Sequence, residues 1–133
     1  MTKGTSVCII IENSESEILL MLRDNESAIQ FPNQWVTLGG RAEAGETPEK
    51  AIRREMKEEI GLYLSDFKLF KIYDWPEKIE YVYHVRLDLD LSKTQLHEGQ
   101  KIQYFKKEEI PKMRLAFHDN DILNDFLSLI HKK

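Results

Sequence analysis

The chain has one cysteine, Cys8, so no disulfide can close within it. Set in the apolar run Val7 to Ile11, that thiol reads as a small buried hydrophobe rather than a nucleophile, and it suits a reducing, cytoplasmic setting. Long apolar runs are missing too: none approaches the ~18 residues of a membrane span, and the first residues lack the apolar stretch of a secretory leader. A soluble protein with no membrane partner is expected. An excess of positive charge is also absent, since the net charge is −4, and this excludes a broad surface for long nucleic acid while leaving room for a small nucleotide held through a metal. The four histidines show no zinc spacing. The six glycines and four prolines form no linker or repeat, so residues 1–133 are expected to make one domain with one core.

What the chain does have is acid, concentrated between Gly40 and Leu62 in GRAEAGETPEKAIRREMKEEIGL. Thr47 is a natural N-cap, Pro48 suits the first helical position and Gly61 suits the end, so a helix is expected over 48–60. Within it Glu55, Glu58 and Glu59 stand at i, i+3 and i+4 on one face, while Ala51, Ile52, Met56 and Ile60 form the apolar side that docks on a sheet. Like charges at this spacing cost roughly 0.2–0.5 kcal/mol each on an exposed helix, and Arg54 can answer only part of the repulsion. Hard carboxylate oxygens without a cysteine or a histidine pair suit Mg²⁺ or Mn²⁺, which points to metal-assisted attack on a phosphate. A merely solvating acidic face has the same local pattern, and the surrounding residues decide between the two.

From Gly40 the order is five residues, Glu46, seven residues, then Arg54-Glu55-Met56, any residue, Glu58-Glu59, any residue, Gly61-Leu62. Place for place this resembles the box of the Nudix hydrolase family. The approach through Trp35 to Gly39-Gly40 and the downstream Glu98-Gly99-Gln100 resemble its MutT-like members. The family usually has proline before the paired glycines, where this chain has Leu38; the change alters loop shape but removes no polar group.

The resemblance implies an α/β fold of the Nudix type, an α/β/α sandwich whose mixed β-sheet lies between the box helix and a C-terminal helix. It implies hydrolysis of a phosphoric anhydride: a Mg²⁺-dependent pyrophosphohydrolase, with Mn²⁺ able to substitute, acting on a nucleoside diphosphate linked to another moiety. The favoured substrate is an ordinary or oxidised nucleoside triphosphate cut to monophosphate plus pyrophosphate. ADP-ribose or a nucleotide sugar is the second choice, since Pro76 lies near a proline seen in ADP-ribose pyrophosphatases. A non-catalytic nucleotide-sensing module is the third, and the intact box argues against it. By the same resemblance Glu58 and Glu59 ligate metal, with Glu55 a further ligand or the residue that orients and deprotonates water. The Gly39 carbonyl and the loop acid Glu98 join the metal set. Arg54, grouped with the catalytic acids, pairs with Glu46 to hold the loop on the helix, and Gly40 and Gly61 shape the box. Arg23, Gly39, Gly40 and Asn120 are expected to face the substrate. The assembly is expected to be a monomer or homodimer.

Around the box, 6–12 and 17–23 read as a hairpin with its turn at 13–16, the first strand apolar throughout as if covered on both faces. Phe31-Pro32 and Trp35 read as loop anchors more readily than as base-stacking groups. Strands are expected over 67–74 and 79–88, the second with one wet face carrying Val82, His84 and Arg86, and His84 is expected to be a bystander. A strand over 101–105, a helical turn over 107–110 closed by Pro111, and a final helix over 119–130 complete the reading, with Asn120 at or near its cap and Ile122, Leu123, Phe126, Leu127 and Ile130 on its apolar side.

Overall fold

The structure, a computed structural model, describes residues 3–131, and for residues 130 and 131 it describes the helical backbone alone. Ile130, expected on the apolar side of the last helix, therefore lies outside the described side chains. The elements in order are β1 (Gly4–Glu12), β2 (Ile18–Leu22), β3 (Trp35–Val36), β4 (Leu38–Arg41), α1 (Pro48–Ile60), β5 (Lys68–Asp74), β6 (Lys78–Arg86), β7 (Lys101–Phe105), a 3₁₀ turn (Ile110–Lys112) and α2 (Asp119–His131).

β1 is the centre of the sheet. It runs parallel to β6 along its whole length, while its other edge is shared: β4 pairs antiparallel with residues 6–9, and β2 meets it only at Glu12 and Ile18. The expected hairpin therefore exists at its turn but not along its strands. β2 turns away to pair with β7 and, at its end, with β3. β5 closes the far edge against β6 with a bulge between Leu69 and Lys71.

The continuous apolar run of β1 is explained by period-two alternation into two cores. Val7, Ile9 and Ile11 meet Ala51, Ile52 and Met56 of α1, whereas Cys8 and Ile10 meet Ile122, Leu123 and Phe126 of α2. The two helices thus cover opposite faces, as the sandwich reading requires. The face of β6 expected to be wet is covered as well: Val82 is buried, and His84 packs on the ring of Phe126 while bonding Glu12 at 2.9 Å. Glu12 is a buried carboxylate, bonded also to Lys107 at 2.6 Å, so what looked like a polar face is an internal ion-pair cluster under α2. Boundaries shift by a residue or two: β6 ends at Arg86, and the turn expected over 107–110 is there at 107–109, where the Glu109 amide donates to the Lys106 carbonyl, but it runs on into the 3₁₀ turn Ile110–Lys112 with Pro111 inside it.

Candidate functional site

α1 begins and ends where its caps dictate. Thr47 has extended backbone and its hydroxyl accepts from the Lys50 amide at 3.2 Å, and Gly61 takes the left-handed conformation at φ 65, its amide reaching back to the Lys57 carbonyl. These caps fix the register of the acids. Arg54 then ties the helix to the loop before it. Its guanidinium donates to both oxygens of Glu46 at 2.8 and 3.0 Å, to the Arg41 carbonyl at 2.9 Å, and through Nη1 to Glu55 at 3.0 Å and Glu58 at 3.1 Å. Glu46 also accepts from the Glu43 amide, and these bonds, Arg54 first, hold its carboxyl down to about 2.

Glu59 has the opposite environment. It is 1% exposed, its Oε2 is a buried oxygen with no hydrogen-bond partner among the described residues, and burial first, then the charges of Glu55 and Glu98, push its carboxyl up to about 9. The Gly39 amide offsets only part of that. Glu55 is also shifted upward by burial, against the pull of Arg54.

The paired glycines make this crowding possible. A Cβ on Gly39 would lie 2.1 Å from the Val7 carbonyl oxygen, and one on Gly40 would lie 2.5 Å from the Glu55 carboxyl carbon. β4 is therefore pressed between β1 and the acid face of α1. Glu98 reaches the same place because its loop is clamped at both ends: the His97 amide donates to the Glu59 carbonyl at 2.8 Å, and the Gln100 amide to the Leu22 carbonyl at 2.8 Å. Gly99 between them has φ 79 and packs on Met21 and the Leu22 carbonyl, where a side chain would collide.

An open cavity of about 670 Å³ runs from this acid end across the sheet. Arg23, Gly39, Gly40, Glu59 and Glu98 line it; Glu55 lies behind Gly40 and is joined through Arg54 to Glu58, and none of these three lines the cavity. Arg23 follows the end of β2, bonds the Gln30 carbonyl and lies 5.0 Å from the ring centre of Phe117. Phe31 and Phe117, both left-handed at φ 50 and 55, meet inside the cavity with centroids 4.7 Å apart.

Asn120 does not reach the cavity, contrary to the sequence expectation. Its carbonyl oxygen accepts from the Leu115 amide and its NH₂ donates to the Met113 carbonyl, both at 2.9 Å, so it braces the segment before α2 and caps none of the helix's own amides. The neighbouring Asp119 is the residue that faces the cavity, with Thr37, Glu80 and Phe117 around it. Sequence reasoning missed all four. Only Glu80 left a signal, as an acid on the same strand face as Val82. The wall they stand on is fixed by a three-ring stack: Tyr73 on Trp75 at 4.9 Å and Trp75 on His118 at 3.9 Å, both nearly parallel, with the Trp75 indole donating to Glu80 at 2.9 Å.

No three acid or imidazole groups among the described residues converge on a single point, because Arg54 holds Glu55 and Glu58. The donor chemistry nonetheless fits a hard divalent cation. Glu59 has an unpartnered buried oxygen and a raised affinity for positive charge, with Glu55 and Glu98 near enough to perturb it.

The family model described as "NUDIX domain" matches residues 2–126. Among curated proteins, nucleoside triphosphatase NudI of Salmonella arizonae is 44% identical over 68 residues, which is 50% of this chain and 47% of that protein. The chain thus spans about half the length of the curated relatives it matches. Among solved structures, a MutT from a study of the Aliivibrio salmonicida and Vibrio cholerae proteins superposes with TM-score 0.79 at 25% identity, covering 96% of this chain and 99% of its own. A mutT/nudix family protein from Listeria innocua superposes with TM-score 0.82 at 22% identity, covering 99% and 97%.

Proposed function

The chain belongs to the NUDIX domain family, and from that premise we propose that it is a divalent-cation-dependent pyrophosphohydrolase cutting a nucleoside triphosphate to monophosphate and pyrophosphate. The observation that carries the reading is Glu59: a buried carboxylate with one oxygen unpartnered, opening on a cavity large enough for a nucleotide. Support for a triphosphate comes from the half-chain similarity to nucleoside triphosphatase NudI.

Glu59, Glu58 and the Gly39 carbonyl would hold Mg²⁺ or Mn²⁺, with Glu98 as a further oxygen donor. When bound, the metal supplies charge stabilisation for the attacking and leaving oxygens of the phosphate. The chain's own groups do the rest. Glu55, its carboxyl shifted upward by burial and held beside Gly40, would take a proton from the attacking water. Arg54 positions Glu55 and Glu58 through Nη1 and fixes the loop through Glu46, so it is a positioning residue. Arg23, a planar fork of donors at the cavity wall, meets the nucleotide.

A panel of nucleoside triphosphates, ADP-ribose and a nucleotide sugar, assayed at equal concentration with Mg²⁺ or Mn²⁺, tests this. Pyrophosphate release from a triphosphate is expected. A clear preference for ADP-ribose or the sugar nucleotide would replace the triphosphate reading, and turnover of none would remove the enzyme reading.

A further inference from the structure

We infer that Gln100 is a positioning residue for Arg23: it fastens the loop 24–34 to the segment that carries Glu98, and so sets the nucleotide-facing guanidinium against the acid end of the cavity. The inference rests on the reading of that cavity as a nucleotide site. The side-chain NH₂ of Gln100 donates twice, to the Arg23 carbonyl at 2.8 Å and to Asn33 Oδ1 at 2.9 Å. A backbone carbonyl can only accept, so the orientation of the amide is fixed and both of its N–H groups are used.

Those two acceptors stand on the two legs of one loop. The chain leaves β2 at Arg23, whose amide donates to the Gln34 carbonyl at 2.9 Å, and returns through Asn33, whose amide donates to the Asp24 carbonyl at 3.1 Å. Gln100 forks across that base. Residues 24–28 beyond it are exposed, so the polar bonds at the base, rather than a core, decide where the loop lies. Arg23 follows the loop, because its one hydrogen bond among the described residues runs from Nε to the Gln30 carbonyl at 3.0 Å. Nη1 and Nη2 have no partner among those residues, and Arg23 lines the cavity, which leaves a planar fork of donors for a ligand. The acid side of the segment is held differently. The His97 amide on the Glu59 carbonyl and the Gln100 amide on the Leu22 carbonyl are main-chain bonds, so they keep Glu98 in place whatever side chain stands at position 100. Loss of the Gln100 amide should therefore act on substrate binding and spare the metal.

Gln100→Met keeps the length of the side chain and removes both donors. For the nucleotide that is turned over, KM is expected to rise about three- to tenfold with kcat within about twofold, and the calorimetric Kd for Mg²⁺ to stay unchanged. In an Arg23→Ala background the same substitution should change KM little, since a residue that acts through Arg23 then has nothing to place. Gln100→Lys, whose ammonium can donate to both acceptors, should bring KM back toward wild type, and Gln100→Glu, which has no donor, should not. Without nucleotide, amide hydrogen exchange over 24–34 should quicken several-fold in Gln100→Met while that of α1 is unchanged. Asn33→Gly suits the left-handed backbone at φ 57 and removes one acceptor; it should show the same pattern more weakly, and it serves if the Gln100 variants do not fold. The same KM factor with and without Arg23 would overturn the inference, as would unchanged KM and unchanged exchange in a folded Gln100→Met. If the wild type binds a triphosphate with Mg²⁺ but does not cleave it, the same pattern in Kd would support the inference while overturning the catalytic reading. Binding of no nucleotide at all would overturn both.

Discussion

Glu46, in the loop before α1, and Glu59, near the helix end, have opposite fates: Arg54 holds the first carboxyl down and burial pushes the second up, so environment rather than residue type sets each role. Glu59 and Asp119 both hold a proton more tightly folded than unfolded, so their stabilising contribution is complete below about pH 4 and is lost as pH rises through about 7 for Asp119 and about 9 for Glu59. Glu46 and Glu12, shifted downward, work in the other direction but only below about pH 4.5, outside that window. The metal-free protein should therefore lose Tm steadily from about pH 5 to about pH 9, by a few degrees or more, and Mg²⁺ should restore it at the upper end. Glu59→Gln should flatten the upper part of the curve, leave the metal-free Tm equal or higher, and weaken Mg²⁺ binding in calorimetry; a large loss of Tm would make the residue structural. In kinetics, Glu55→Gln should lower kcat by about 10²–10⁴, whereas Arg23→Ala should act mainly on KM.

At the scale of elements, the packing of β4 separates two glycines that look equivalent in sequence. A side chain on Gly39 meets backbone of β1 at 2.1 Å, while one on Gly40 meets the end of the flexible Glu55 side chain. Gly39→Ala is therefore expected to cost stability, about 1–3 kcal/mol or more, and Gly40→Ala to keep Tm nearly unchanged while lowering kcat by displacing Glu55. Thermal melts and initial rates on the two variants check this, and a reversed pattern would mean that β4 is not packed as described. Element type was legible wherever local chemistry decided it. Thr47, Pro48 and Gly61 mark α1 without help from the rest of the chain, and β1's unbroken apolar run implies a helix on each side. β6 was misread because Val82, His84 and Arg86 look like a wet face, and only the fold brings Glu12 and Phe126, from distant segments, to cover it. The β1–β2 hairpin was overextended for a similar reason: β3 and β4 take the edges that β2 and β1 would share, while β7 pairs with the other edge of β2, a long-range choice that turn residues do not encode.

Across the whole molecule, the acid end of the cavity could be read from spacing because its residues sit on one helix and two glycines. The opposite end could not, since Asp119 owes its place on the cavity wall to Thr37, 82 residues away, with Glu80 on a strand between them. Asn120 drew attention in its place, yet its amide is consumed by the turn at 113–115. The central proposal is that this one cavity holds a nucleotide with its phosphates beside Glu59. Single-turnover product analysis of a nucleoside triphosphate in ¹⁸O-labelled water, with Mg²⁺, tests it most directly. Monophosphate and pyrophosphate should appear together as first products, one of them carrying the label, and Glu59→Gln should suppress both. Orthophosphate as the first product would contradict the account.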